Sequence, residues 1–79
     1  MVPNFSARVI EGVPLRDLDP DHLLLTPEVS AYTRIPEASL RYLRHAKTGP
    51  RSARISRRVM YRAGDVVAWL DAQFDAEAS

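Results

Sequence analysis

Three prolines, Pro27, Pro36 and Pro50, divide the middle of this 79-residue chain into short elements. Proline lacks a backbone N–H and clashes with the preceding turn, so a helix accepts it in the first turn but not in the interior. Thr26 suits the N-cap position before Pro27. A first short helix is therefore predicted over residues 27–33, and it must end before Pro36 because a residue that precedes proline avoids helical dihedrals.

A second helix is predicted over residues 37–46, and its two sides differ in character. On a helical wheel, Leu40 and Leu43 fall on one side and should face the core. Gly49 suits a left-handed cap after this helix. Two helices joined by a turn of three or four residues have helix-turn-helix spacing. The side opposite the two leucines, with its flanks, consists of Glu37, Ala38, Ser39, Arg41, Tyr42, Arg44 and His45.

A β-hairpin is predicted next, followed by a last helix over residues 63–74. Trp69 is expected at the centre of the core. The whole is a mainly α fold with a small β-hairpin, in which residues 1–22 form an N-terminal arm, residues 23–75 form the domain and residues 76–79 form a fraying tail. The apolar strand positions of the hairpin are Ala53, Ile55, Val59 and Tyr61, with Arg54, Arg58 and Arg62 interleaved and Ser56 and Arg57 near the turn.

Charge is strongly segregated along the chain. Residues 34–62 hold nine of the 11 Lys and Arg against one acid, a net charge of +8, and the rest of the chain carries −7. A basic centre is typical of nucleic-acid binders, because neutralising phosphates releases counterions and drives association. The alternative is a solvated charged surface without a ligand.

Other classes of function lack the residues that they need. The chain has no cysteine, and its two histidines, His22 and His45, are far apart, so neither a metal site nor another cofactor is expected. No nucleophile, base and carboxylate set or phosphate-binding glycine loop suggests an enzyme. The first residues contain no apolar run of seven or more, so we expect neither a signal peptide nor a membrane span. We therefore expect a cytoplasmic protein.

The second helix and the hairpin are the candidate DNA-binding site. Ala38 lets the backbone approach a groove, Arg41 can reach guanine or phosphate, and the Tyr42 hydroxyl can reach phosphate. The alternatives are a solvated face for Arg41 and Arg44, packing of Tyr42 on the first helix, an inert His45 and an ordinary hairpin. The predicted DNA-binding residues are Glu37, Ala38, Ser39, Arg41, Tyr42, Arg44, His45, Lys47, Arg54, Arg57 and Arg58.

Residues 24–73 resemble the excisionase-like, MerR-like family of winged helix-turn-helix proteins. The resemblance implies that the helix over residues 37–46 enters the major groove of DNA and that the hairpin around Arg57 and Arg58, the wing, contacts the minor groove or backbone beside it. The motifs that carry it are LTPEV at 25–29, RIPEASLRYLRH at 34–45, GP at 49–50, ISRRVMYR at 55–62 and DVVAWL at 65–70. Ser30, Thr33, Arg34 and Ser56 depart from the family pattern, the last two where glycine is usual.

The resemblance leaves the biological role open, because excisionases and transcription regulators share this domain. Since the sequence shows no ligand-sensing or long coiled-coil segment, we expect a phage excisionase, a recombination directionality factor that bends attachment-site DNA and works with a phage integrase. The alternatives are a small transcription regulator with the same domain and a protein-protein adaptor. Because one module of this size covers little DNA, we expect several copies to bind cooperatively, head to tail. The acidic flanks or the arm of one copy would meet its neighbour.

Overall fold

Three helices and a three-stranded antiparallel sheet form the part of the chain, residues 12–78, that the computed structural model describes. Helical residues predominate, as predicted. Predictions on residues 1–11 and on Ser79 lie outside the described residues. In chain order, a 3-10 turn at Leu15–Asp17 precedes β1 (Leu23–Leu25), α1 (Thr26–Thr33), α2 (Glu37–Ala46), β2 (Ser52–Ile55), β3 (Arg58–Arg62) and α3 (Ala63–Ala78).

The strand β1 was not predicted from the sequence. It pairs with β3, so the sheet has the order β1-β3-β2, and Leu24 lies opposite Tyr61. Both of these side chains are almost fully buried. Three successive leucines show no alternation, so tertiary pairing rather than local pattern makes this segment a strand.

The hairpin turns through two residues, Ser56 and Arg57, with φ of 50° and 73°. Positive φ at both positions is the signature of a type I′ turn, whose twist matches that of the flanking strands. Arg58 lies opposite Ile55 in the sheet.

The two faces of the sheet differ because successive side chains point to opposite sides. Val59 and Tyr61 lie on the inner face, toward the core, whereas Ala53 and Ile55 lie on the outer face. The four apolar strand positions predicted for the hairpin are therefore split between the two faces.

The core gathers side chains from the sheet and all three helices. Its buried members are Leu18, Leu24, Val29, Leu40, Tyr61, Ala63 and Val66. The prediction that Trp69 is at the centre was wrong, since its ring is only half-buried and its Nε1 donates a hydrogen bond to the Thr48 carbonyl oxygen at 2.8 Å. An indole N–H needs a partner, and the loop after α2 supplies one at the edge of the core.

The N-cap of α1 and the C-cap of α2 differ from the predicted caps. Leu25 is the N-cap of α1 and Thr26 is its first helical residue, while the Glu28 carboxylate accepts the Leu25 backbone N–H at 2.8 Å. After α2, Lys47 takes the left-handed cap, with φ of 61°. Gly49 is instead required because there is no room for a side chain, since a Cβ there would lie 2.8 Å from the Leu43 Cβ.

The segment before β1 packs against the core and against α3. Leu18, within the predicted arm, is buried in the core, and the Gly64 backbone N–H donates to the Pro20 carbonyl oxygen at 2.9 Å. Arg16 forms a two-pronged ion pair with Asp71 of α3, which lowers the pKa of that carboxyl. The last helix was predicted to end at residue 74, but α3 extends to Ala78 through alanine and glutamate, which favour helix.

Candidate nucleic-acid interface

The outer face of α2 is open to solvent because Leu40 anchors the opposite side. The Leu40 side chain is 1% exposed and belongs to the core. Tyr42 is 70% exposed, so it does not pack on α1, and that alternative is removed. A polar, uncovered helical face thus runs along α2, and its exposed members are Ala38, Ser39, Arg41, Tyr42 and His45. Glu37 lies half-buried in the first turn.

Beside the C-terminal end of α2 lies a depression of about 340 Å³, here called the basic concavity. Leu43 and Gly49 are among the residues that line it, and the described lining residues include no acid. Four cationic side chains from the helix, the loop and β2 surround it, namely Arg44, Lys47, Arg51 and Arg54. Like charges raise one another's energy when they converge, so this arrangement favours an anionic ligand.

Local backbone geometry creates this convergence. The left-handed Lys47 reverses the chain after α2, and Gly49 lets the returning loop pass against Leu43. Pro50 is buried, and the Trp69 Nε1 holds the loop by donating a hydrogen bond to the Thr48 carbonyl oxygen. The loop therefore delivers Arg51 and the start of β2 next to the end of α2.

Register brings Arg54 to the same concavity. It lies opposite Val59, whose side chain packs on the core from the inner face of the sheet. Arg54 thus projects from the sheet face that α2 approaches, together with Arg44 across the concavity. The structure unites three predicted residues here, Arg44, Lys47 and Arg54.

Arg44 also acts on the core. It is half-buried, and its charge lies close enough to Tyr61 to favour the ionised phenol. Burial is the larger effect and raises the pKa of the Tyr61 phenol, against the opposing effects of a hydrogen bond with Thr26 and of Arg44. Arg44 therefore lies near the Tyr61 phenol as well as at the basic concavity.

The hairpin tip carries two further predicted residues, Arg57 and Arg58, but they lie apart from the basic concavity. Arg57 is exposed in the turn, and Arg58 shares the outer face of the sheet with Ile55. The candidate interface therefore has three parts, which are the outer face of α2, the basic concavity and the hairpin tip.

Arg51 is the basic residue that sequence reasoning missed. It precedes β2 and belongs to neither the helical face nor the alternation of the hairpin, so no periodic pattern selected it. Its position after the Gly49 and Pro50 loop was the available signal, since such a loop must return the chain to α2.

Among residues 12–78, no group of three His, Asp or Glu side chains is arranged to hold a metal ion. Within the same residues, no helix combines the length and apolar character needed to cross a membrane.

Comparisons of the chain with protein-family models, with curated proteins and with solved structures find no match. The resemblance of residues 24–73 to excisionase-like proteins accordingly stays a prediction.

Proposed function

We propose that this protein binds double-stranded DNA through the outer face of α2, the basic concavity and the hairpin tip. The observation that carries the proposal is the convergence of four cations, with no carboxylate among the described lining residues, beside the exposed face of α2. DNA phosphates form a dense row of negative charge. Binding of a basic surface releases their counterions, and this release favours association.

In this proposal α2 lies in the major groove, which is about 12 Å wide and accommodates a helix of about 10–12 Å with its side chains. Arg41 and Tyr42, on the outer face, reach base edges or phosphates, and small Ala38 allows close approach. The half-buried Arg44 and the exposed Lys47, which follows the helix, stay beside the phosphate backbone of the DNA.

The basic concavity takes the phosphate backbone that borders the groove. Contacts to phosphate fix the position of a protein on DNA without reading sequence, whereas contacts to base edges carry sequence preference. The hairpin tip then extends along the duplex as a wing, with Arg57 and Arg58 directed to the minor groove or the next phosphates. Arg is favoured there because a narrow minor groove concentrates negative potential.

A double substitution, Lys47→Asn with Arg54→Gln, tests the basic concavity. Asparagine tolerates the left-handed backbone of Lys47, so the cap survives while both charges are removed. We expect weaker binding to every duplex. A plot of log binding constant against log salt concentration should also be flatter by about 0.9 for each phosphate that the protein no longer neutralises. Fluorescence anisotropy on short labelled duplexes at several salt concentrations measures both.

The control is Arg16→Gln, which removes a cation outside the candidate interface, where it pairs with Asp71 of α3. This control should leave the slope unchanged. An unchanged slope in the double variant would remove the concavity from the interface. Absence of wild-type binding at low salt would reject DNA as the ligand and favour the adaptor role.

The biological role that we propose is that of an excisionase which bends attachment-site DNA and directs a phage integrase toward excision. This part rests on the sequence resemblance. Circular-permutation gel mobility distinguishes the alternatives, because bent complexes on attachment-site DNA support this role. Tight binding to promoter DNA without bending would favour a small transcription regulator.

A further inference from the structure

The outer face of the sheet carries an apolar depression that no described element covers. This outer groove has a volume of about 260 Å³, and its apolar lining includes Leu23, Ile55 and Met60. Leu23 is 51% and Ile55 is 46% exposed. The described lining of the groove also includes two cations, Arg51 and Arg62, and one carboxylate, Asp65. The net charge of this lining is therefore positive.

A second exposed apolar feature lies at the far end of α3. Phe74 is 73% exposed, the most exposed of the large hydrophobic side chains in residues 12–78. Asp75 and Glu77 follow it on the same helix, and both are exposed. The end of α3 is therefore an aromatic residue on an acidic helical segment.

These two features are complementary in polarity and in charge. We propose that the end of α3 from a second copy of this chain docks in the outer groove, with Phe74 against Leu23, Ile55 and Met60. Glu77 of that copy then lies toward Arg62 and Arg51. Burial of a large aromatic ring supplies the attraction, and opposite charges at the rim set the orientation.

The contact is heterologous, because the docking helix and the groove are different surfaces of the same molecule. Each bound copy leaves one groove and one helix end open, so the assembly continues head to tail instead of closing as a two-fold dimer. The outer face of α2 stays uncovered, and this inference does not depend on DNA binding. Arg51, Ser52 and Ala53 border both the outer groove and the basic concavity, from opposite sides of β2.

The test uses the full chain without DNA, in sedimentation velocity over a range of protein concentrations at low salt. Leu23→Glu spoils the groove by placing a negative charge where the acidic helix would dock, and Phe74→Ala removes the docking ring. We expect wild-type protein to form species larger than dimers. Each variant alone should associate at least about tenfold more weakly, as is usual when a central aromatic anchor or its pocket is removed.

Mixing the two variants gives the decisive result. Leu23→Glu retains a sound helix end and Phe74→Ala retains a sound groove, so the mixture should form one-to-one dimers and stop there. A contact between two helix ends, or between two grooves, would show no such rescue. Wild-type protein that stays monomeric at millimolar concentration, or variants that associate like the wild type, would overturn the proposal.

Two controls keep these outcomes interpretable. Ala31→Glu adds the same charge at an exposed position of α1 and should leave self-association unchanged. If Leu23→Glu unfolds, Ile55→Ser replaces it, because that side chain is also exposed in the groove. Binding of each variant to a duplex that holds one copy should match the wild type, so a failure of DNA binding and a failure of self-association are distinguishable.

Discussion

Arg34 ends α1 in a left-handed conformation, with φ of 65°, a region that a side chain beyond glycine rarely enters. Within residues 12–78, four non-glycine residues have positive φ, and three of them are basic: Arg34, Lys47 and Arg57. Each such residue costs roughly 1–2 kcal/mol relative to right-handed backbone. The chain therefore carries cations at positions where glycine would be less strained.

We expect Arg34→Gly to stabilise the fold by about 0.5–1 kcal/mol. Glycine removes the Cβ clash of the left-handed cap, and this gain exceeds the entropy that glycine adds to the unfolded chain. The free energy of unfolding from urea titration measures the change. Arg34→Ala is the control, since it removes the same charge but keeps the Cβ. Equal stability of the two variants would show that the left-handed backbone is not the cause.

Gly49 and Trp69 have roles that depend on tertiary contacts, which a sequence pattern does not reveal. Gly49 was predicted as a left-handed cap, yet its role is to admit Leu43, a contact that only the folded loop reveals. Trp69 was predicted as a central core residue because it lies on an apolar stripe. Its ring instead lies at the edge, since its N–H must reach the Thr48 carbonyl, and periodicity carries no information on hydrogen-bond partners.

Among the elements, α2 was predicted with the bounds that the structure shows. Pro36 fixes its start, and its two leucines and polar opposite face give a clear amphipathic pattern. The hairpin was predicted from alternation around Ser56 and Arg57. The strand β1 and the last turn of α3 were missed, because pairing with β3 and continued helix beyond Phe74 have no periodic signal. The basic concavity depends on register and loop geometry, so only some of its residues were identified.

The two cations at the hairpin tip, Arg57 and Arg58, are expected to contact phosphates. Arg57→Asn with Arg58→Gln should weaken binding to all duplexes and flatten the salt dependence by about 0.9 in slope for each phosphate left without its cation. Asparagine keeps the left-handed turn position accessible, so the type I′ turn should persist. Anisotropy titrations across salt concentrations measure the slope.

The matched control for the hairpin retains both charges, with Arg57→Lys and Arg58→Lys. It should preserve the salt slope, although affinity falls if the guanidinium groups reach into a groove. A flatter slope in both variants would point to a disturbed turn, and an unchanged slope in both would place the tip outside the interface.

At the scale of the whole molecule, the segregation of charge in the sequence becomes a segregation of surfaces. Positive charge lies around α2, the basic concavity and the hairpin, while the far end of α3 is acidic. One face thus suits a polyanion, and the acidic end suits the basic outer groove of another copy. The small core, to which the sheet and all three helices contribute, holds these surfaces in place.

If α2, the basic concavity and the hairpin tip form one DNA-binding surface, a bound duplex should perturb all three together. The most direct test is a titration of isotope-labelled protein with a short duplex, followed by amide chemical shifts in two-dimensional NMR spectra. We predict that the largest shifts fall in residues 37–47 and 51–58, while those of residues 72–78 stay small. Shifts concentrated on α3, or spread evenly over the molecule, would show that DNA does not bind this surface.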